Sequence, residues 1–270
     1  MSRDKTPQQT LAMLLRRLKL PSFAASYEDV AAQAEREGWA FGQYLHHLCE
    51  LEVSERGQRR IERLLRKSDL PKEKTLATVD SKKVPVKVWR QVPMLCEGGF
   101  LSRAQNILAF GLPGRGKTHL VCAIGHELVR RGHAVLFVPT YRLVQRLLVA
   151  KRELTLEREL QRLDSYDAVI LDDIGYVQQD RDEMEVLFTF LSQRYERRSV
   201  IITSNIVFSQ WDRIFKDPMT TAAAIDRLVH HSIILEMTGP SIREEEAKAT
   251  QNPTKTRTTT TTTTTTQPQT

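Results

Sequence analysis

The sequence predicts an α/β fold with a parallel sheet, preceded by a small all-helical segment. From Gln105 onward, short apolar runs rich in Val and Ile alternate with helical stretches. Strands that alternate with helices form βαβ units, in which the strands are parallel. Before that point, apolar residues recur at spacings of three and four, as on the buried face of a helix. The predicted strands are residues 106–110, 134–139, 168–171, 200–203 and 233–237.

The helical segment is divided by residues that break or begin helices. Leucines recur at spacings of three and four between positions 11 and 18, and Pro21 then interrupts the pattern. Ser22 is expected to cap a second helix, and Gly38 to end it. A third periodic stretch runs from residue 41 to Pro71, either unbroken or with a break at Gly57.

Length and composition indicate one large domain with a smaller one. The chain has 270 residues, of which 40% are hydrophobic, enough for a substantial core. We expect a helical domain over residues 1–70 and the α/β domain, which begins with a basic linker, over 71–247. Residues 248–270 form a Thr-rich, low-complexity tail that we expect to be disordered.

Composition also argues against membrane and metal-binding classes. The polar amino-terminal stretch lacks the features of a signal peptide, and no run reaches the roughly 18 apolar residues that a membrane span needs. Cys49, Cys96 and Cys122 lack metal-ligand spacing and lie within apolar patterns. They are predicted to be buried free thiols of a cytoplasmic protein without a membrane partner.

A phosphate-binding loop follows the first predicted strand. Residues 111–118 read GLPGRGKT, which is the pattern GxxxxGK[ST], and a helical stretch follows. Glycines allow successive N–H groups to surround phosphates, Lys117 reaches the β- and γ-phosphates, and the Thr118 hydroxyl coordinates Mg²⁺. The motif therefore predicts Mg²⁺-bound nucleotide, most simply ATP. The predicted nucleotide-contacting residues are Gly111, Pro113, Gly114, Arg115, Gly116, Lys117, Thr118 and His119.

Three further polar positions fit the chemistry of phosphate transfer. The strand at 168–171 ends in Asp172 and Asp173, predicted to hold Mg²⁺ through water and to act as general base, respectively. Asn205 follows the fourth strand and can orient water, although Asn also ends strands for turn reasons. Arg227 lies on a helix before the last strand, where it either reaches a neighbouring subunit's γ-phosphate or is a solvated arginine.

Positive charge is concentrated in one segment. The whole chain carries +7, whereas residues 56–90 alone contain twelve basic and four acidic residues, a net +8. On a helix, the first six of these basic residues form one broad face. Such a face can bind the phosphates of duplex DNA without sequence preference, or it can be a solvated surface or a docking face for an acidic protein. The predicted DNA-binding residues are Arg56, Arg59, Arg60, Arg63, Arg66 and Lys67.

These motifs together resemble AAA+ ATPases, and most closely the IstB-like helper proteins of insertion-sequence transposition and the related helicase loader DnaC. The resemblance rests on GLPGRGKTHL, VILDDIGY, ITSN and IDRL at residues 111–120, 169–176, 202–205 and 225–228, and on LRRLKLPSFAASYED near the amino terminus. It implies a five-stranded parallel sheet between helices and subunits that assemble into a ring or helical oligomer. It also implies that Asn205 is the sensor and Arg227 the arginine finger.

The resemblance implies an ATPase that binds duplex DNA and stimulates its cognate transposase. The alternative within the family is a helicase loader that grips a replicative helicase. A small-molecule P-loop kinase is a different class, but it leaves the basic segment unexplained. Most AAA+ proteins have Glu where this chain has Asp173, so hydrolysis is expected to be slow. A nucleotide-binding scaffold without useful turnover therefore also stays open.

Overall fold

The computed structural model describes residues 7–176, 181–206, 228–229 and 231–238. Within them, the strands are β1 (Asn106–Phe110), β2 (Val135–Pro139), β3 (Ala168–Asp172), β4 (Ser199–Ser204) and β5 (Ser232–Glu236). The helices are α1 (Pro7–Arg17), α2 (Pro21–Glu37), α3 (Phe41–Lys67), α4 (Val86–Trp89), α5 (Val92–Glu97), α6 (Lys117–Arg130), α7 (Thr140–Arg152), α8 (Leu156–Asp164) and α9 (Arg181–Arg194). The five predicted strands are confirmed, each to within one residue at either end.

The strands form one parallel sheet in the order β2-β3-β4-β1-β5. Strand β1 pairs with β4 and β5, and β4 also pairs with β3. The carboxyl ends of β3, β4 and β1 therefore lie side by side at one edge of the sheet. The phosphate-binding loop follows β1, Asp172 ends β3 and Asp173 comes directly after it, so the strand order brings them together.

Each face of the sheet is covered by helices. Because successive strand residues point to opposite faces, Leu108 packs in one core while Ile107 and Ala109 pack in the other. The first core contains residues of α7, α8 and α9, and the second contains residues of α4, α5 and α6. The sheet is thus sandwiched between helices, as the fold prediction requires.

Helix α3 runs without a break from Phe41 to Lys67, so Gly57 does not interrupt it. Its last turns pack against the second core through Leu64 and Leu65. The backbone N–H of Phe137 in β2 donates to the carbonyl of Ser68 at 2.7 Å. The third helix thereby contacts the α/β domain directly, while the boundary at residue 70 stays a prediction.

Ser22 does not cap α2, which corrects the expectation from the sequence. Pro21 occupies the first turn, so Ser22 lies inside the helix. Its backbone N–H instead donates to the Glu52 carboxylate of α3 at 2.8 Å. Gly38 does end the helix, in a left-handed conformation with φ 68°.

The three cysteines differ in exposure. Cys96 and Cys122 are buried, and burial raises the pKa of Cys96 to about 11 and that of Cys122 to about 12. Cys49 is exposed, contrary to prediction, because its neighbour Leu48 takes the buried position on α3. No helix in the described ranges is long and apolar enough to span a membrane. The predicted Thr-rich tail, residues 248–270, lies outside those ranges.

Candidate functional site

The phosphate-binding loop begins where β1 passes close to the end of β5. Gly111 has φ 153°, and a Cβ at this position would overlap the carbonyl oxygen of Met237. The N–H of Met237 donates to the carbonyl of Phe110 at 2.7 Å, which keeps this approach close. Gly114 and Gly116 also have positive φ, 78° and 77°, and α6 starts directly after them. The loop therefore has the glycine conformations that the motif predicts.

Lys117 lies inside this loop and is only 5% exposed. Its Nζ donates to the carbonyls of Gly111 at 2.6 Å and Leu112 at 3.0 Å. An ammonium buried among carbonyls and at the start of a helix is well placed to meet a phosphate. To reach the phosphate, the amine has to exchange these carbonyl bonds for phosphate oxygens.

Thr118 connects the start of α6 to the end of β3. Its Oγ1 donates to Oδ1 of Asp172 at 2.7 Å. Because the hydroxyl donates its hydrogen bond to the carboxylate, the lone pairs of its oxygen remain available to a cation. A hydroxyl beside a carboxylate is the kind of oxygen donor that Mg²⁺ takes in proteins, so these two residues fit the predicted metal.

Asp172 is held by two more threonines. Thr203 Oγ1 donates to Asp172 Oδ1 at 2.7 Å, and Thr140 Oγ1 donates to the Asp172 carbonyl at 2.9 Å. Both threonines are fully buried. Neither residue is among those that the sequence predicts for the site. The sequence shows only that each Thr stands at the carboxyl end of a strand, since their contacts with Asp172 depend on which strands are neighbours.

Asp173 follows β3 in a left-handed conformation, with φ 55°. This region is strained for a residue with a Cβ. Its backbone N–H donates to Thr203 Oγ1 at 2.8 Å. The structure thus places Asp173 next to Asp172 at the sheet edge, as the sequence predicts, in a turn tied to β4.

Asn205 follows β4 and packs against the turn after Asp173. A Cβ built on Gly175 would overlap Asn205 Oδ1 and lie 2.9 Å from the side chain of Ile206. Asn205 Oδ1 is buried, and among the described residues it has no hydrogen-bond partner. The amide oxygen therefore lies against the turn that follows Asp173, at the carboxyl end of β4.

The other predicted loop residues differ in their surroundings. Pro113 is exposed. Arg115 is half-buried, and its Nε and Nη1 are buried without a hydrogen-bond partner in the described part of the chain. His119 Nε2 lies 2.9 Å from Thr78 Oγ1, in the short 3₁₀ turn Leu76–Thr78. The first turn of α6 is thereby connected to the segment that precedes the sheet. Arg227 lies outside the described residues.

The six basic residues of α3 are all exposed, but they fall into two groups. Arg56 and Arg59 contact the carboxylate of Glu52 at 3.0 and 3.5 Å, and Arg60 donates to the carbonyl of Gly132 at 3.1 Å. The second group has no hydrogen bond or ion pair within the described ranges. It consists of Arg63, Arg66 and Lys67.

Glu52 is the acidic centre of the first group and was missed by sequence analysis. It is 4% exposed. Burial acts to raise the pKa of this carboxyl, but hydrogen bonds from the Ser22 backbone, Arg56, the Ser22 hydroxyl and Phe23 outweigh it and lower the pKa. Arg56 and Arg59 therefore have a structural task in holding α2 against α3.

Comparison with known protein families gives a match over most of the chain. The model of the IstB-like ATP binding proteins matches residues 13–250. An insertion sequence ATP-binding protein of Sinorhizobium fredii is 46% identical over 238 residues, which cover 88% of this chain and 80% of the relative. The IS21 insertion sequence ATP-binding protein of Pseudomonas aeruginosa is 38% identical, over 88% of this chain and 90% of the relative.

Comparison with solved structures supports the fold. The chain is similar to AMPPCP-bound DnaA from Aquifex aeolicus with a TM-score of 0.55 and 20% identity, over 70% of this chain and 59% of that one. It is similar to DnaI with a TM-score of 0.54 and 22% identity, over 63% of this chain and 96% of that one. The parallel five-stranded sheet with its phosphate-binding loop is the fold that the sequence predicts, and both solved structures share it. With the match over residues 13–250, the chain belongs to the IstB-like ATP-binding proteins of insertion sequences.

Proposed function

We propose that this protein is an ATP-hydrolysing AAA+ helper of DNA transposition, which assembles on duplex DNA and stimulates its cognate transposase in the cytoplasm. The contact between Thr118 and Asp172 carries the enzymatic part of this proposal, because it sets a hydroxyl and a carboxylate together beside the phosphate-binding loop. Insertion sequence relatives support the transposition part.

In the proposed reaction, the loop N–H groups and Lys117 bind the phosphates of ATP. Thr118 and Asp172 would hold Mg²⁺, which neutralises charge on the β- and γ-phosphates. A water molecule, oriented by Asn205, attacks the γ-phosphorus through its oxygen and passes a proton to Asp173. The bond from the γ-phosphorus to the bridging oxygen breaks, giving ADP and phosphate.

The second group of basic residues on α3, Arg63, Arg66 and Lys67, is the proposed DNA contact, and we call it the free basic group. Arg63 and Lys67 are one helical turn apart, roughly 6 Å along the axis, with Arg66 beside them. All three are exposed and are not engaged by an acidic side chain within the described ranges. Arg56 and Arg59 share their charge with buried Glu52, so we propose a smaller contribution from them. Contacts of this kind reach phosphates and carry no base specificity.

Assembly is the proposed link between ATP and DNA. In this proposal Arg227 reaches the γ-phosphate of a neighbouring subunit in a ring or helical oligomer, so that bound ATP stabilises the array on DNA. Because Asp173 has a shorter side chain than Glu, slow hydrolysis would let the array persist until the transposase engages it.

A strand-transfer assay tests this function. The purified protein is combined with its cognate transposase, transposon-end DNA and a target plasmid, with and without ATP. We expect the products to increase only with both protein and ATP, and Lys117→Ala to abolish the increase. Products that do not depend on the protein contradict the proposal. ATP-dependent loading of a replicative helicase onto DNA, without any effect on the transposase, would support the helicase-loader alternative instead.

A further inference from the structure

The hydroxyl of Thr203 joins the two aspartates at the end of β3. Thr203 is fully buried in β4, the strand next to β3. Its Oγ1 lies 2.7 Å from Oδ1 of Asp172 and 2.8 Å from the backbone nitrogen of Asp173. One side-chain atom therefore contacts the residue predicted to hold Mg²⁺ and the residue predicted to activate water.

The direction of both hydrogen bonds is fixed by chemistry. A backbone N–H can only donate, so the Thr203 hydroxyl accepts from Asp173. The O–H of Thr203 then donates its one hydrogen bond to the Asp172 carboxylate, which can only accept. A valine has the same shape as threonine but can make neither bond, whereas serine can make both.

The contacts have different consequences for the two aspartates. Asp172 Oδ1 accepts hydrogen bonds from the hydroxyls of both Thr118 and Thr203, so the carboxylate is fixed between α6 and β4. Asp173 adopts a strained backbone, with φ 55°, and the bond to Thr203 stabilises that conformation. The backbone conformation in turn sets the direction in which the Asp173 side chain leaves the chain.

We propose that Thr203 is a positioning residue for ATP hydrolysis, which holds the Asp172 carboxylate and the Asp173 backbone in one fixed arrangement. The inference rests on the proposed ATPase function. Thr203 acts through the two aspartates and not through its own contact with the nucleotide. Central strand β4 thus determines where both carboxylates stand relative to the phosphate-binding loop.

Replacement of the hydroxyl tests the proposal. Thr203→Val leaves the Asp173 N–H without its acceptor and takes one donor from Asp172. We expect kcat for ATP hydrolysis to fall roughly tenfold or more, because hydrogen bonds to a charged group are lost. KM for ATP should stay within about threefold of the wild-type value. The Mg²⁺ concentration that half-saturates binding of a fluorescent, slowly hydrolysed ATP analogue should rise several-fold. Thr203→Ser should restore both quantities.

The control removes a hydroxyl of the same kind elsewhere. Thr189 is half-buried on α9, and its Oγ1 donates to the carbonyl of Glu185, so Thr189→Val should change neither quantity. Thermal unfolding of each variant shows whether the fold is retained, and Thr203→Ala replaces Thr203→Val if the valine variant does not fold.

Two results would overturn the proposal. One is a Thr203→Val protein with wild-type kcat and wild-type Mg²⁺ dependence. The other is a loss that Thr203→Ser fails to restore, because then side-chain shape and not the hydroxyl is what matters. If the wild-type protein hydrolyses no ATP, the proposed function fails, but the Mg²⁺ dependence of analogue binding still decides the role of Thr203.

Discussion

The Thr118 hydroxyl donates to Oδ1 of Asp172 at 2.7 Å, and so joins the first turn of α6 to the end of β3. The two residues are 54 positions apart in the sequence. They meet because β3 and β1 end at the same edge of the sheet, separated by β4 alone. This contact brings together the two halves of the candidate nucleotide site.

The contact predicts a specific loss in Thr118→Val. The variant keeps the shape of the side chain but removes the oxygen that we expect to bind Mg²⁺. Binding of a fluorescent ATP analogue, measured by anisotropy, should become insensitive to Mg²⁺. Thr118→Ser should respond to Mg²⁺ as the wild type does. Equal Mg²⁺ dependence in Thr118→Val and the wild type would show that the hydroxyl is not a ligand.

Glu52 predicts a pH-dependent contribution to stability. Its folded-state pKa is lowered, so the contribution is present above the unfolded pKa of about 4.3 and is lost as pH falls through the folded pKa. Glu52→Gln should lower the free energy of unfolding by roughly 1–3 kcal/mol at pH 7. The gap between wild type and variant should narrow below about pH 4.

Urea unfolding at several pH values measures this gap. Glu55→Gln is the matched control, because Glu55 is on the same helix, exposed and without a hydrogen bond or ion pair within the described ranges. We expect it to change the unfolding free energy by less than about 0.5 kcal/mol. A Glu52→Gln gap that is constant from pH 7 to pH 3 would argue against an ionised Glu52 as the source.

Gly175 predicts an effect on catalysis through Asn205. In Gly175→Ala the new methyl group would overlap Asn205 Oδ1, so the amide has to move. We expect kcat for ATP hydrolysis to fall roughly tenfold, while affinity for the ATP analogue stays near that of the wild type. Gly57→Ala is the control, since a Cβ there meets nothing within 4 Å. An unchanged kcat in Gly175→Ala would mean that Asn205 has no such role.

The free basic group predicts the salt dependence of DNA binding. Each phosphate contact contributes about −0.9 to the slope of log K against log salt. Replacing Arg63, Arg66 and Lys67 with Gln should therefore reduce the slope by roughly 2 to 3 for a random-sequence duplex. As a control, the double variant Arg152→Gln and Arg158→Gln removes two exposed charges from α7 and α8, which cover the opposite face of the sheet from α3. This variant should leave the slope unchanged. An unchanged slope in the triple variant would place the DNA contact elsewhere.

The sequence predicted the strands and the phosphate-binding loop because both depend on local patterns. Apolar runs of strand length and the GxxxxGK[ST] spacing are readable without knowing the strand order. The roles of Thr140 and Thr203 were not readable in this way. Both depend on which strands are neighbours, and that order is set by packing across the whole domain.

The helical segment shows the same limit. Glu52 looks like an ordinary surface charge on a polar helix, and only the packing of α2 on α3 makes it a buried hydrogen-bond acceptor. Gly57 is unfavourable inside a helix by roughly 1 kcal/mol, yet α3 continues through it. Packing of Leu64 and Leu65 against the second core stabilises the later turns.

The most direct test of the account is the rate of ATP hydrolysis by the purified protein, with and without duplex DNA at moderate salt. We expect slow basal hydrolysis that duplex DNA stimulates. Lys117→Ala should abolish hydrolysis. The variant with Gln at all three positions of the free basic group should keep the basal rate but lose the stimulation by DNA. Such a result would connect the helical segment to the nucleotide site. A rate that is the same with and without DNA would contradict the DNA-coupled ATPase proposed here.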